Sequence, residues 1–416
     1  MVTILSRNAG VFRFIAFAAV IALMAFSFSG CSNNSGTESG ATSDDTAVTD
    51  TTDYSFYEYD GELPTAPGKL LKTEPWTSDS LPAGARGFKI LYTTTISPAD
   101  GDASASKIGL ASGFVIAQAE NAEKPQDIVA WAHGTSGVAR RCAPTILGNE
   151  LFGVPAQEVY DKGWVLVGTD YYGMGTDEPN PYLAGVGEAH SMLDAVRAAK
   201  EMSELSLSGK TVVWGHSQGG GTAIWTGIEA ATYAPDVDLV GVVGEAPATD
   251  SIGLLGSLDV IGEGRIVSAY TIWAFDKLYS DVSFEEYIAD GASDWAKAAA
   301  ETCIIEEFTD FPEGVESLWK KDPLTGAFGE RVRENIPVWT ADVPLFVAQG
   351  EADTLVPASM QDKWIETQKA AGKTMWYEKY PDATHVGLVL ETPKFNEDLI
   401  KFTTARFNGE EFLVAY

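Results

Sequence analysis

Thr211-Val212-Val213-Trp214-Gly215-His216-Ser217-Gln218-Gly219-Gly220-Gly221 decides how this chain is read. Its first four residues are a short apolar run of the kind buried on both faces of a parallel sheet. From Gln218 to Tyr233 the apolar spacing is helical, so Gly215-His216-Ser217-Gln218-Gly219 falls on a strand-to-helix turn. The pattern G-x-S-x-G fixes only three positions, and with 41 glycines in 416 residues it is a loose filter on its own. Its context sharpens it. A serine at the tip of such a turn occupies strained backbone and needs small neighbours. Gly215 and Gly219 meet that need, and Gly220 and Gly221 let the helix sit close to the sheet. The plainer alternative is a turn without chemistry.

Outward from this turn the same alternation continues. Apolar runs at 127–132, 164–169, 239–244 and 345–348 each end in a turn bearing Gly or Asp, and residues 89–95 and 108–118 pair as an early hairpin. Helical spacing recurs at 188–205, 358–371 and 393–407. Strands alternating with helices specify an α/β sheet with its functional loops at the carboxyl ends of the strands. Residues 249–336 break the rhythm. This stretch is rich in aromatics, among them Trp273 and Phe275, and reads as an inserted, mainly helical cap. The expected division is a signal peptide at 1–30, a tether at 31–60, a core at 61–248 and 337–416, and the cap between the two core parts.

A serine hydroxyl needs a base, and the base an orienting acid. There are four histidines. His216 adjoins the serine and cannot curl back to it, His133 lies on an earlier loop, and His190 lies on a helix. His385 remains, on the loop after the run 374–380. The acid should precede it in the chain and follow a strand. Asp353, just beyond 343–348, fits, with Glu351 as competitor. The developing oxyanion needs two N–H donors: one from Gln218, the other from Ala132-His133-Gly134-Thr135-Ser136-Gly137, where Thr135 is the first choice and Gly134 the second.

These stretches, with Cys142-Ala143-Pro144, Thr169-Asp170-Tyr171-Tyr172-Gly173-Met174-Gly175 and Gly350-Glu351-Ala352-Asp353, resemble the secretory-lipase branch of the serine α/β-hydrolases over most of residues 85–407. The resemblance implies hydrolysis of carboxylic esters, often acylglycerols, through an acyl-enzyme, with a cap inserted before the strand that carries the acid. Tyr171, Tyr172, Trp273 and Phe275 are the candidate substrate-binding residues. A cap whose aromatics form only its own core is the alternative for the last two. A peptidase on the same machinery and a non-catalytic binding lipoprotein are the competing functions.

The remaining features bound the setting. A formal net charge of −31 repels nucleic acid. There is no His pair at ligand spacing, Cys cluster or Gly-rich phosphate loop in the sequence, so no metal and no cofactor is expected. Residues 14–28 are apolar apart from Ser27 and too short for a membrane span. Phe28-Ser29-Gly30-Cys31 resembles a bacterial lipoprotein signal, which implies lipid on Cys31 and a membrane-anchored place in the cell envelope, with secretion as the alternative. The Ser/Thr/Asp-rich stretch after it would be the tether. With Cys31 used by lipid, Cys142 and Cys303 are the candidate disulfide pair in an oxidising compartment, or else two buried thiols.

Overall fold

A computed structural model describes residues 50–78, 80–96, 106–118, 124–257 and 262–411. The signal stretch, Cys31 and the tether as far as residue 49 lie outside the described residues. The strands are β1 (Leu70–Trp76), β2 (Arg86–Ile96), β3 (Lys107–Ala117), β4 (Gln126–Ala132), β5 (Val165–Tyr172), β6 (Leu207–His216), β7 (Asp238–Glu245), β8 (Leu345–Gly350) and β9 (Trp376–Tyr380). They form one sheet in the order β1-β2-β3-β5-β4-β6-β7-β8-β9. The first four in that order pair antiparallel and the rest parallel. This is the mostly parallel, helix-flanked sheet of an α/β-hydrolase.

Alternation along each strand supplies two cores. On β5, Val165 and Val167 face one side with Val213 of β6 and Val347 of β8. Leu166, Val212, Trp214, Phe346 and Ala348 face the other. Apolar residues at both parities are what a strand covered on both faces requires. The first face is covered by α3 (Gly185–Lys200) and α4 (Gln218–Tyr233), through Met192, Val196, Ala223 and Ile224. The second is covered by α12 (Pro393–Asn408), through Phe395, Leu399 and Phe402. Two short helices, α1 (Pro144–Leu147) and α2 (Ala156–Asp161), precede β5.

Between β7 and β8 the chain leaves the sheet. It forms α5 (Ser251–Ser257), α6 (Gly262–Leu278), α7 (Phe284–Tyr287), α8 (Ser293–Glu301) and α9 (Gly326–Glu334). The insertion has its own apolar core around Tyr270, Phe275, Tyr287, Trp295 and Phe328, and that core continues into Val138, Tyr182 and Leu183 of the loops after β4 and β5. Then α10 (Ala358–Ala370), β9, α11 (Gly387–Glu391) and α12 complete the layers.

Two expectations need correction here. The packed body begins before residue 60: Tyr57 is 3% exposed and bonds Thr145 Oγ1 at 3.0 Å, and the Arg140 guanidinium lies 3.9 Å above the Tyr54 ring. Three aromatics in 54–57 give this segment apolar area that the Ser/Thr-rich stretch lacks. β1 was not expected, because it is an edge strand with Pro75, three exposed residues and no clean alternation.

Several acids are buried in the core. Glu150 is fully buried, and its carboxylate oxygens have no partner among the described residues. Burial first, then the neighbouring Asp170, raises its carboxyl from the ordinary 4.5 to about 7. The native state therefore keeps a proton that the unfolded chain has already lost, and this group's contribution to stability falls as pH rises between about 4.5 and 7. Glu150→Gln, which keeps the shape of the neutral acid, should raise Tm at pH 8 by roughly 4 °C or more and change it little at pH 4.5. Thermal unfolding of both proteins at both pH values checks this, and a difference independent of pH would contradict it.

Candidate active site

Ser217 stands between β6 and α4 with φ +59° and ψ −117°, a region that non-glycine residues rarely adopt. The chain is held there from both sides. Ser217 N–H donates to Glu245 O at 2.9 Å, and Ser217 O accepts from Ala248 N–H at 3.0 Å. The flanking glycines are needed for space. A Cβ on Gly215 would lie 2.0 Å from Gly219 O, and one on Gly219 would lie 1.9 Å from Ala132 O, both backbone atoms that cannot rotate away.

His385 reaches the serine from the loop between β9 and α11. Its Nε2 lies 2.8 Å from Ser217 Oγ and its Nδ1 2.7 Å from Asp353 Oδ2. Asp353 sits on the turn after β8. Its Oδ1 accepts the N–H groups of Leu355 and Val356 at 2.9 and 2.8 Å, and Gln349 Nε2 donates to Oδ2 at 3.1 Å. Asp353 is thus buried with its lone pairs directed, whereas Glu351 is exposed. Ser217, His385 and Asp353 are brought into one hydrogen-bonded row from the carboxyl ends of β6, β9 and β8.

The other histidines lie apart from this proton path. Burial lowers His216 from 6.5 to about 3, with the neighbouring His385 adding to the effect. Its Nε2 lies 3.0 Å from His385 O, which seats the His385 backbone. Burial likewise lowers His133 to about 4, and its ring packs 4.5 Å from Tyr171. His190 stacks on Tyr233 at 3.6 Å.

The loop after β4 runs beside the serine. A Cβ on Gly134 would lie 3.8 Å from Ser217 Cβ, so the Gly134-Thr135 backbone borders the space above the hydroxyl. Gln218 heads α4, where its N–H has no intrahelical acceptor. Thr135 Oγ1 is bonded to Tyr182 OH at 3.0 Å. Beyond it, a disulfide joins Cys142 to Cys303. Ile304 N–H donates to Ser136 O at 2.9 Å, and Arg141 makes two 2.6 Å bonds to Glu306. These contacts fasten the helical insertion to the 134–142 loop.

The expected substrate-binding residues fare differently. Tyr171 and Tyr172 are closed off, at 0% and 1% exposed. Tyr171 OH donates to His133 O at 3.0 Å, and Tyr172 belongs to the core under α3. They end a central strand, so burial takes them. Phe275, at 1% exposed, packs edge-on to Phe328 within the insertion. Trp273 packs edge-on to Phe284 with Lys277 over its ring. Phe275 thus belongs to the insertion's own core, whereas Trp273, two residues earlier and on another face of the helix, is only half-buried against it. Val138, Tyr182 and Leu183, on the loops after β4 and β5, join that core and are buried with it. Leu183 has φ +57°.

Comparison with known proteins completes the picture. A family model described as secretory lipase matches residues 153–414. The chain belongs to the secretory lipase family. It is similar to the secreted triacylglycerol lipase LIP5 of Malassezia furfur, 24% identical over 279 residues, covering 62% of this chain and 69% of that one. It is also similar to a probable inactive lipase of Mycobacterium tuberculosis, 24% identical over 267 residues, covering 60% of this chain but only 56% of that one. In fold it is similar to Candida antarctica lipase A in its closed state, with TM-score 0.68 and 19% identity over 84% of this chain and 85% of that chain.

The backbone contact at the turn generates a direct test. Gly219→Ala must push β4 or α4 aside and should destabilise the protein by at least about 2 kcal/mol in urea unfolding. A loss below about 0.5 kcal/mol would show that the turn is not held by this contact.

Proposed function

We propose that this member of the secretory lipase family hydrolyses carboxylic esters, acylglycerols included, through an acyl-enzyme on Ser217. The observation that carries the reading is the continuous row Ser217 Oγ, His385 and Asp353, at 2.8 and 2.7 Å. Ser217 Oγ attacks the ester carbonyl carbon as its proton passes to His385 Nε2. Asp353 holds the Nδ1–H and stabilises the imidazolium that forms. The carbonyl oxygen, now an oxyanion, takes the N–H of Gln218 and one from Thr135 or Gly134. As the tetrahedral intermediate collapses, the C–O bond to the alcohol breaks and His385 returns the proton to the leaving oxygen. Water then repeats the sequence on the acyl-enzyme and releases the acid.

In this reading residues 249–336 cap the site, and the acyl chain is buried between them and the loops after β4 and β5; of the four aromatics first expected to meet it, only Trp273 keeps exposed surface, Tyr171, Tyr172 and Phe275 being closed off. Each methylene buried there would be worth about 0.8 kcal/mol. The protein acts outside the cytoplasm, held to a bacterial envelope membrane by lipid on Cys31, which the mass of the mature N-terminus tests. One relative bears the name of an inactive lipase. The hydrogen-bonded Ser217, His385 and Asp353 favour catalysis over a binding role for this chain, and ester over amide chemistry rests on the family.

p-Nitrophenyl esters of graded acyl length, set against aminoacyl p-nitroanilides, should show turnover of the esters and little of the amides. Ser217→Ala should remove that turnover by a factor of about 10³ or more with the fold intact. Amide turnover exceeding ester turnover would favour the peptidase, and no turnover of either by the parent would favour the binding lipoprotein.

A further inference from the structure

Glu188 lies in the first turn of α3, is 2% exposed, and takes no part in the proton path. Three donors converge on its carboxyl group. Oε1 accepts Gln218 Nε2 at 2.7 Å and Leu183 N–H at 3.0 Å, and Oε2 accepts the Thr222 hydroxyl at 2.7 Å. A buried carboxylate so loaded fixes the groups that point at it, because releasing any one leaves an unpaired polar group away from water.

Two of the three donors lead to the oxyanion loops. Gln218 is the residue whose backbone N–H heads α4 beside Ser217. Thr222 packs 3.4 Å from the Tyr171 hydroxyl, but that contact has no proton of its own, because Tyr171 donates to His133 O and Thr222 to Glu188. Leu183 holds a left-handed φ of +57°. It follows Tyr182, whose hydroxyl bonds Thr135 Oγ1 at 3.0 Å. Both sides of the space above Ser217 are thereby tied to one side chain.

We propose that Glu188 is a positioning residue for the oxyanion hole, its buried carboxyl group setting Gln218 directly and the 133–135 loop through Leu183 and Tyr182. This rests on the ester-hydrolase reading given above. The residue touches no substrate. Its effect is on how well two N–H groups are aimed at a charge that exists only in the transition state, so its loss lowers kcat rather than raising KM.

The test uses the best p-nitrophenyl ester and a trifluoromethyl ketone carrying the same acyl chain, whose serine adduct bears an oxyanion. Glu188→Leu keeps the volume and removes every acceptor. It should lower kcat by a factor on the order of 10² with KM within about threefold, and weaken the ketone by a factor similar to the loss in kcat/KM. Glu188→Gln retains a carbonyl oxygen for the two N–H donors and an amide that the Thr222 hydroxyl can accept from. It should recover most of the lost kcat. Should Glu188→Leu fail to fold, Gln218→Met removes one of the ties and leaves the Gln218 N–H in place. About tenfold lower kcat at unchanged KM is expected there.

Parent kcat and ketone affinity in these variants, or a loss of Tm alone, would overturn the positioning role. So would an equal loss in Glu188→Leu and Glu188→Gln. Absence of ester turnover by the parent protein would overturn the hydrolase reading itself, and the positioning role with it.

Discussion

The hydrogen bond between Ser217 Oγ and His385 Nε2 joins residues 168 apart in sequence, and nearly every feature of the fold bears on it. It forms because β6 and β9 run parallel and end at one edge of the same sheet, with β7 and β8 between them. It also requires the serine to stand clear of that edge, in a backbone conformation that costs of order 1 to 3 kcal/mol. The surroundings hold that conformation in place. The close passage of Gly215 and Gly219 against backbone, and the bonds from Ser217 to Glu245 and Ala248, leave the turn no relaxed alternative.

Around that bond the polar groups are arranged asymmetrically. The acid side is rigid and short-range: Asp353 is held by two N–H groups of its own turn and by Gln349. The oxyanion side depends on a longer chain of buried contacts through Glu188, Leu183 and Tyr182. The helical insertion joins it through the disulfide and the Ile304–Ser136 bond. The insertion also packs on the acid side, where Leu254 meets Val356 of the turn that holds Asp353.

Much of this was legible in the sequence, for physical reasons. Central parallel strands are apolar at both parities, so 127–132, 239–244 and 345–348 announce themselves, and Ser217 and Asp353 each follow such a run, whereas His385 follows β9, an edge strand that is mostly half-buried. The edge strand β1 is only half covered and carries Pro75, so its pattern is weak. Tyr171 and Tyr172 look like ligand-facing aromatics in a Gly-rich loop, yet the strand carries them into the interior. Phe275 is helical core for the same reason that Met192 is. Glu188 could not be picked out, because an acid in the first turn of a helix is commonplace. What sets this one apart is that Leu183, Gln218 and Thr222, from separate parts of the chain, meet on it.

The central claim is that Ser217 is a nucleophile activated by His385. Intact mass and peptide mapping after exposure to a fluorophosphonate test it most directly, since serine attack displaces fluoride and leaves a stable phosphonyl ester on the attacking residue. One adduct per chain, on Ser217, formed at least about 10²-fold more slowly in His385→Ala, is the predicted result. An unlabelled Ser217, or labelling at the same rate without the histidine, would contradict it.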